Sequence, residues 1–178
     1  EICAKVVKSI GNSKLNNRFA QRFITTGKEM EKYQETLSIK SYHTNKYGKA
    51  SIVSLFNILI EAAWAHAQVM DWGYDDLKSN NLLWVLSRMY FQIGKYPAWQ
   101  DQMTLSTWSA GIDGMYAYRE YILENEQGEV LLRASSAWRI LDFETRKIFK
   151  LSDYRATFPK YIDSNACRNP KRIKPDVH

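Results

Sequence analysis

The stretch TNKYGKASIVSLFNILIEAAWAHAQVM, residues 44–70, decides the fold of this chain. From Ile52 onward it is apolar around most of its circumference, which predicts a long helix from about Ala50 to Met70. Ser51 lies at the start of that helix and is one of the residue types that cap helix N-termini. A helix with so few polar positions must be enclosed on most sides, so the rest of the chain has to supply a layer that covers it.

Four consecutive β-strands are predicted after this helix. Their segments are rich in aromatic and branched residues and cover residues 82–97, 103–110, 115–124 and 130–142. Polar turns, some with glycine, separate them, which is typical of an antiparallel meander. Residues 36–43 alternate ahead of the helix and predict one more strand. One helix cannot cover both faces of such a sheet. The economical α+β arrangement is therefore a hotdog fold, an antiparallel sheet of about five strands wrapped round one long central helix, with its other face or an edge meeting a second copy.

The net charge of +6 is concentrated at the two ends of the chain. Residues 1–29 hold six Lys or Arg and two Glu, and residues 155–178 hold six Lys or Arg and two Asp. The middle part, residues 30–154, holds thirteen basic and fifteen acidic residues. We therefore expect a hotdog domain at 30–154 between a basic N-terminal extension and a basic linker or tail. The ends either solubilise the protein or attract an acidic partner. Nucleic acid is not indicated, because the ends lack interleaved aromatic residues and a binding motif.

Cysteine and histidine positions give no sign of a disulfide framework or a metal site. Cys3 and Cys167 lie near opposite ends without a partner motif and are interpreted as free thiols of a reducing compartment. The histidines, His43, His66 and His178, are too scattered to suggest zinc. No run of 18 or more apolar residues is free of charge, so no membrane span is predicted. No secretory signal peptide is recognisable.

Polar side chains of the predicted helix fall on one narrow stripe. At about 100° per residue, Ser54, Asn57, Glu61 and Gln68 lie within about 60° of each other. This stripe either faces solvent or a partner domain, or brings Asn57 and Glu61 to the mouth of an apolar pocket. His66 lies well away from the stripe, and we expect it to be a hydrogen-bonded histidine of the core.

Two arginines, Arg88 and Arg119, lie in apolar strands and need partners if they are buried. Glu61, Glu120 or a partner subunit are the groups that we expect to provide them. Five tryptophans are predicted to pack in the core or at an interface, because indole is costly to leave exposed: Trp64, Trp84, Trp99, Trp108 and Trp138.

Three long segments resemble the amino-terminal half of the acyl-acyl carrier protein (acyl-ACP) thioesterases. They are SYHTNKYGKASIVSLFNILIEAAWAHA, WVLSRMYFQIGKYPAWQDQMTLSTW and YREYILENEQGEVLLRASSAWRILDFETRK, over about residues 36–150. The shared features are a G-x-A-S turn into a helix with L-x-E-A-A-x-x-H, the WVLSRM strand, the Y-P-x-W-x-D turn, the T-W and S-x-W strands and a final T-R. Each piece alone is weak, and it is their order along the chain that carries the resemblance.

The resemblance implies two hotdog domains in tandem that hydrolyse the thioester between a fatty acyl chain and the phosphopantetheine arm of acyl carrier protein. It implies a role in fatty acid biosynthesis, no metal and no other cofactor. The partners would be acyl carrier protein, which is acidic and suits the basic ends, and a second hotdog, from the same protein or from another copy. The amino-terminal half would shape the acyl pocket, and the substrate-binding residues we expect in it are Phe56, Asn57, Ile60, Trp64, Trp84 and Met89.

The turn ahead of the helix departs from the catalytic pattern of the family. That pattern resembles D-x-N-G-H-x-N and enters the helix of the carboxy-terminal hotdog. The matching positions here are Asn45, Lys49 and Ser51. Asn45 has no carboxylate, and Lys49 is protonated at neutral pH unless strongly desolvated. We therefore expect this turn to be inert and the catalytic second half to lie outside the chain.

Two alternatives remain open at this level. The chain could be a stand-alone hotdog that binds acyl chains without cleaving them. It could also be a single-hotdog acyl-CoA thioesterase, in which Glu61 acts as the catalytic base or nucleophile at the interface of two copies. A bacterial cytoplasm is expected if Met30 is the natural start, and a plastid if residues 1–29 derive from a transit peptide.

Overall fold

The computed structural model describes residues 32–151, Phe158 and residues 165–171 of the 178-residue chain. The expected N-terminal extension and much of the expected C-terminal linker lie outside the described residues. The elements in chain order are β1 (Tyr33–Ser38), a 3-10 turn (Ser41–His43), α1 (Ile52–Val69), α2 (Tyr74–Lys78), β2 (Leu82–Ile93), β3 (Gln102–Asp113), β4 (Tyr116–Asn125) and β5 (Val130–Asp142).

The five strands form one antiparallel sheet in the order β1-β3-β4-β5-β2, and α1 packs on one face of it, against β1 and β3. This arrangement confirms the predicted hotdog fold. The meander holds for β3, β4 and β5, but β2 pairs with β5 instead of β3. The connection between β2 and β3 explains this order. Its first residue, Gly94, donates its backbone N–H to Leu131 of β5, whereas Gln100 donates to Ile39 beside β1. The connection therefore carries the chain from one edge of the sheet to the other.

The first strand lies earlier in the sequence than predicted. It ends at Ser38, and the expected strand residues 41–43 form a 3-10 turn instead. Local hydrogen bonds explain the difference, because the His43 Nδ1 atom accepts from the Lys40 N–H at 3.1 Å. The Thr44 hydroxyl also donates to the Ser41 carbonyl at 2.7 Å. Side chains that bond the nearby backbone in this way compete with a β-ladder.

The central helix α1 begins and ends on local signals. Ser51 caps it as predicted, because its Oγ accepts the Ser54 N–H at 3.1 Å. It stops where Asp71 takes a left-handed φ of 59°, which terminates many helices. By length and mean hydropathy α1 would pass for a membrane span, but one face is buried against the sheet, as in a core helix. Both ends of its apolar surface, Ile52 and Val69, are more than half exposed, so the sheet does not enclose the whole helix.

A second, short helix lies in the predicted loop after α1. Gly73 precedes it and donates its N–H to the Asp76 carboxylate at 3.0 Å. Leu77 of this helix is buried, so α2 helps to close the end of the core beside β2. Five residues are too short for a periodic apolar pattern, which is why the sequence indicated only a loop.

Candidate functional site

The turn ahead of α1 is held by Asn45. Its side-chain oxygen accepts the backbone N–H groups of Tyr47 at 2.9 Å and Lys49 at 3.3 Å. Gly48, with a φ of 69°, supplies the left-handed residue that the turn requires. Asn45 is therefore a structural residue here, and its amide oxygen is already engaged by the backbone of its own turn.

A second segment fastens this turn to the sheet. Ala50 donates its N–H to the Pro97 carbonyl at 2.8 Å, and Trp99 donates to the Gly48 carbonyl at 3.0 Å. Asp101 fixes the bracing segment by accepting the Ala98 N–H at 2.7 Å. The Y-P-x-W-x-D motif thus positions the start of α1. Trp99 itself remains more than half exposed, so it does not pack in the core of this chain.

An apolar cavity of about 40 Å³ lies between the C-terminal half of α1 and the sheet, and we call it the inner cavity. Its lining residues are Ala63, Trp64, Ala67, Met70, Trp72, Trp84, Ser109, Ala117, Tyr118, Arg119, Trp138 and Phe158. Pockets that bind drug-sized ligands have volumes of roughly 300–1,000 Å³. The inner cavity is therefore too small for a whole fatty acyl chain and can hold only one end of it. Binding of the complete chain requires the walls of the cavity to move.

Aromatic rings form much of the wall of the inner cavity. The Trp72 ring lies 6.2 Å from Trp84 and 5.0 Å from Phe158, centroid to centroid, and Trp84 lies 6.5 Å from Trp138. The Trp84 indole N–H donates to the Trp72 carbonyl at 2.9 Å, so its polar atom is satisfied. These rings give the cavity a rigid apolar surface with few torsions to immobilise, which suits an alkyl chain.

A buried polar network lies at the edge of this cavity. The Arg119 guanidinium lies 2.7 Å from His66 Nδ1 and donates to the Thr107 hydroxyl at 3.2 Å. Because arginine only donates, His66 Nδ1 accepts and the imidazole proton is on Nε2. Burial, with the charge of Arg119, lowers the pKa of His66 to about 3. His66 is therefore a neutral, hydrogen-bonded core histidine, as predicted, and a poor general base.

The partners of Arg119 differ from the acidic ones that we expected. Neither Glu61 nor Glu120 contacts it within hydrogen-bond distance in the described part of the chain; His66 and Thr107 do. Glu120 points to the outer face of the sheet, where it accepts from the Ser135 hydroxyl at 2.7 Å and from the Ala166 N–H at 2.9 Å. Burial raises the pKa of Glu120. Arg119 and Glu120 are consecutive in a strand and so point to opposite faces, which rules out the pairing.

A second concave region, which we call the open groove, lies along the other side of α1 and has a volume of about 550 Å³. Its lining residues are Glu35, Thr36, Leu37, Ser38, Lys40, Tyr42, His43, Asn57, Ile58, Glu61 and Gln102. Asn57 and Glu61 project into it with their side chains exposed. Burial and the charge of Lys40 lower the pKa of His43. The groove thus combines a carboxylate, an amide and an imidazole in contact with solvent.

The structure divides the predicted site residues into three places. Trp64 and Trp84 line the inner cavity, whereas Asn57 and Glu61 line the open groove. Phe56 packs on Phe91 of β2 instead, with 6.5 Å between ring centroids. The two remaining predicted residues, Ile60 and Met89, are half-buried against the core and line neither region.

Several lining residues were not singled out from the sequence. Trp72 lies just after α1 in a stretch that the sequence indicated only as a loop, and Phe158 lies in the expected tail. His43 joins the groove through the 3-10 turn. The aromatic character of Trp72 and Phe158 was the only available signal, since both are costly to expose. In the parts of the chain that the structure describes, no group of three or more His, Cys, Asp or Glu side chains is arranged to hold a metal.

Comparison with known sequences gives a consistent result. A sequence model described as the acyl-ACP thioesterase N-terminal domain matches residues 30–158. The chain is 32% identical over 128 residues to oleoyl-acyl carrier protein thioesterase 1, chloroplastic, of Arabidopsis thaliana, covering 68% of this chain and 35% of that protein. It is 33% identical over 130 residues to a chloroplastic palmitoyl-acyl carrier protein thioesterase of Gossypium hirsutum, covering 68% and 31%. The chain thus spans about a third of the length of these curated relatives.

Comparison with solved structures supports the fold. An acyl-ACP thioesterase from Bacteroides thetaiotaomicron superposes with a TM-score of 0.72 at 22% identity, covering 80% of this chain and 58% of that one. The 12:0-ACP thioesterase from Umbellularia californica superposes with a TM-score of 0.69 at 21% identity, covering 84% and 62%. At these identities the superpositions show a shared hotdog architecture.

Proposed function

Because this chain belongs to the acyl-acyl carrier protein thioesterase family, through its N-terminal domain, we propose that it is the acyl-pocket hotdog of a thioester hydrolase of fatty acid biosynthesis. In this proposal the chain binds the fatty acyl group of an acyl-acyl carrier protein. A second hotdog supplies the groups that activate water and attack the thioester carbonyl. The observation that carries the proposal is the inner cavity, an apolar space bounded by aromatic rings between α1 and the sheet.

The turn before α1 supports a catalytic centre elsewhere. Asn45 presents an amide whose oxygen accepts two backbone N–H groups of the turn. Lys49 is exposed to solvent at the end of the same turn. Neither side chain is equipped to deprotonate water, so hydrolysis by the family's route has no base at this position.

The second hotdog has a natural place beside β2. This strand runs for 12 residues from Leu82 to Ile93 and is an edge of the sheet, since β5 is its one neighbour among the described residues. A long apolar edge is a template for pairing with another chain unless it is covered. In the proposal the partner is either a second half of the same protein or another copy of this chain. Pairing there would extend the sheet beyond Phe91, which contacts Phe56 of α1, and Met89, which packs against the core.

Glu61 carries the enzymatic alternative. It is an exposed carboxylate of the open groove, with Asn57 one turn away. In this alternative two copies pair and Glu61 serves as base or nucleophile toward an acyl-CoA thioester. The groove is open to solvent, and the described residues place no positive or hydrogen-bonding partner on the Glu61 carboxylate. That environment favours a solvated surface acid over a tuned catalytic group.

The stand-alone acyl-binding domain is the non-enzymatic alternative, and the inner cavity supports it equally well. The two functions differ in their need for a second hotdog: thioester hydrolysis requires one, whereas acyl binding by a stand-alone domain does not.

The hotdog domain itself is proposed to span residues 30–154, flanked by the basic extension 1–29 and the basic linker 155–178. Ala166 of that linker lies against the outer face of the sheet, bonded to Glu120.

The proposed compartment follows the names of the relatives. The curated relatives quoted above are chloroplastic, which favours a plastid location for this protein with residues 1–29 as part of a transit peptide. A bacterial cytoplasm remains the alternative, since a similar fold occurs in Bacteroides thetaiotaomicron. Fractionation of the source cells with an antibody to the chain distinguishes the two locations.

The decisive experiment measures binding and turnover separately. Purified protein is titrated with a fluorescent fatty-acyl probe and then assayed for hydrolysis of acyl-acyl carrier protein and acyl-CoA. We expect saturable binding without turnover by the 178-residue chain, and turnover once the reading frame downstream of His178 is co-expressed with it. Turnover by this chain alone at the rate of complete family enzymes would overturn the proposal. A reading frame that stops at His178, with binding retained, would favour the stand-alone acyl-binding domain.

A further inference from the structure

The outer face of the sheet carries a cluster of two arginines and one tyrosine, which we call the Arg-Tyr-Arg cluster: Arg88, Tyr116 and Arg139. The three residues come from three neighbouring strands, β2, β4 and β5. Arg88 lies opposite Ala137 in the ladder, and Tyr116 lies one step beyond the Ala117–Trp138 pair, beside Arg139. A bulge at β2, between Leu86 and Arg88, re-aims the strand at this point.

Both guanidinium groups contact the same aromatic ring. The Arg88 guanidinium carbon lies 4.5 Å from the Tyr116 ring centroid, and the Arg139 carbon lies 4.3 Å from it. Arg139 also donates a hydrogen bond to the Tyr116 phenol oxygen. The two guanidinium carbons therefore lie no more than 8.8 Å apart. The ring attracts both cations, and the hydrogen bond to the phenol oxygen restrains the side chain of Arg139.

The described residues provide no carboxylate within ion-pair distance of either arginine. The Nε atoms of Arg88 and Arg139 are enclosed and have no hydrogen-bond partner. Like charges that are close and partly desolvated repel each other more strongly than in water. Burial would by itself raise the pKa of Tyr116, but the hydrogen bond and charge of Arg139, together with the charge of Arg88, lower it. Asp113 lies opposite Tyr116 in the β3–β4 ladder, and its charge acts on Tyr118 together with that of Arg88. Among the described residues it forms no ion pair with either arginine, so the cluster sets two positive charges against one nearby carboxylate.

We propose that the Arg-Tyr-Arg cluster is a binding site for a phosphate dianion, as inorganic phosphate or as the phosphomonoester of a small molecule. Guanidinium groups match the oxygens of phosphate and carboxylate through paired N–H donors. Two adjacent positive charges favour the dianion, because a phosphomonoester carries close to two negative charges at neutral pH and a carboxylate carries one. The site is on the outer face of the sheet, away from the inner cavity behind it, and the proposal does not depend on the acyl-binding function.

Inorganic phosphate is the first probe. The protein is titrated with phosphate at constant ionic strength, balanced with chloride, and binding is followed by calorimetry and by the ultraviolet absorbance of tyrosine ionisation. We expect one saturable site and a rise in the pKa of Tyr116 when phosphate is bound, because the anion offsets the field of the two arginines. Tyr116→Phe identifies the ionising tyrosine by removing that signal. Glycerol 3-phosphate, as a second arm, distinguishes a phosphomonoester ligand from free phosphate.

Single charge removals give the matched comparison. Arg88→Gln and Arg139→Gln should each weaken phosphate binding at least tenfold. Arg133→Gln, on the same face of β5 but outside the cluster, removes the same charge and should change binding less than twofold. Arg139→Lys, which keeps the charge, should weaken binding severalfold because the fork geometry is lost. Circular dichroism verifies that each variant folds.

Three results would overturn the site. The first is the absence of saturable phosphate binding to the unmodified protein, together with no change in the ionisation of Tyr116. The second is an equal loss of affinity in Arg133→Gln, which would mean unspecific attraction to net charge. The third is acetate binding as tightly as phosphate. In that case the ligand of the cluster would be a carboxylate, such as an acidic side chain of a partner protein, and not a phosphate dianion.

Discussion

The Arg119 guanidinium and His66 Nδ1 lie 2.7 Å apart, so a buried hydrogen bond joins β4 to the central helix. The two residues are 53 positions apart in the chain, and Thr107 of β3 accepts a further bond from the same guanidinium. A cation taken out of water needs such partners. This network therefore couples the folding of the helix to that of the sheet beside the inner cavity.

Removing one partner of this network should destabilise the protein, and removing both should cost less than the sum. His66→Leu leaves the buried Arg119 without its acceptor, and we expect the free energy of unfolding to fall by about 2–3 kcal/mol. In His66→Leu/Arg119→Met both polar groups are absent, which should recover part of that loss. Urea unfolding of the four proteins of this double-mutant cycle measures the coupling. Purely additive losses would mean that the two side chains do not support each other.

Protein stability should fall with acid because of His66. Its imidazole titrates near 6.5 in the unfolded chain and about 3 in the folded one, so between these values only the unfolded chain takes up the proton. This contribution is fully present above the unfolded pKa and is lost progressively as the pH falls toward the folded one. From pH 6.5 to 4 the unmodified protein should lose about 3 kcal/mol more than His66→Leu. Chemical unfolding at several pH values provides the comparison, and parallel pH profiles would contradict the assignment.

Phe158 should limit the length of the inner cavity. Phe158→Ala removes the ring that contacts Trp72, and longer acyl probes should then bind tighter relative to shorter ones. The gain should approach fourfold for each added methylene that becomes buried, equivalent to about 0.8 kcal/mol. The free energy of unfolding should fall by about 3 kcal/mol. Affinity for a series of acyl lengths tests this.

Phe143→Ala is the matched control for Phe158→Ala, because it makes the same chemical change at an exposed site outside the cavity. Its acyl-length preference should be unchanged, and its stability should stay within about 0.5 kcal/mol of the unmodified protein. An identical shift of acyl-length preference in both variants would show that Phe158 and the inner cavity do not set that preference.

Asn45 should act on stability and not on chemistry. Asn45→Ala loses the oxygen that accepts two backbone N–H groups, and we expect about 1 kcal/mol of destabilisation. Asn45→Asp keeps that oxygen and should be close to neutral, without gaining thioester hydrolysis. Thermal unfolding and an acyl-thioester assay measure both effects. Hydrolysis by Asn45→Asp would show that this turn is closer to a catalytic one than its hydrogen bonds indicate.

Glu61→Gln decides the single-hotdog alternative. The substitution keeps the shape of the side chain and removes the charge of an exposed residue, so we expect acyl binding and any measured turnover to remain within about twofold. Asn57→Ala is the control, because it changes another side chain of the open groove, one turn away, and leaves the Glu61 carboxylate in place. A loss of turnover by two orders of magnitude or more in Glu61→Gln alone would make Glu61 a catalytic base and replace the pocket-half proposal.

The bounds of α1 could be predicted from local sequence pattern alone. Its apolar run, its cap at Ser51 and its end near Met70 depend on residues within a turn of one another, so the sequence determined them almost to the residue. The same is true of β3, β4 and β5, whose alternation and short turns specify antiparallel neighbours. Together they were enough for the hotdog fold, and the ordered motifs were enough for the family.

The tertiary structure alone decided which distant groups meet. The sequence could not show that β2 pairs with β5, that Arg119 bonds His66 instead of an acid, or that Phe158 closes the inner cavity. It also could not bring Arg88 and Arg139 onto one tyrosine ring. Local structure follows from backbone preferences and side-chain period over a few residues. Partners far apart in sequence are selected by packing, burial and the cost of leaving a buried polar group unpaired, and these exist only once the sheet has closed on the helix.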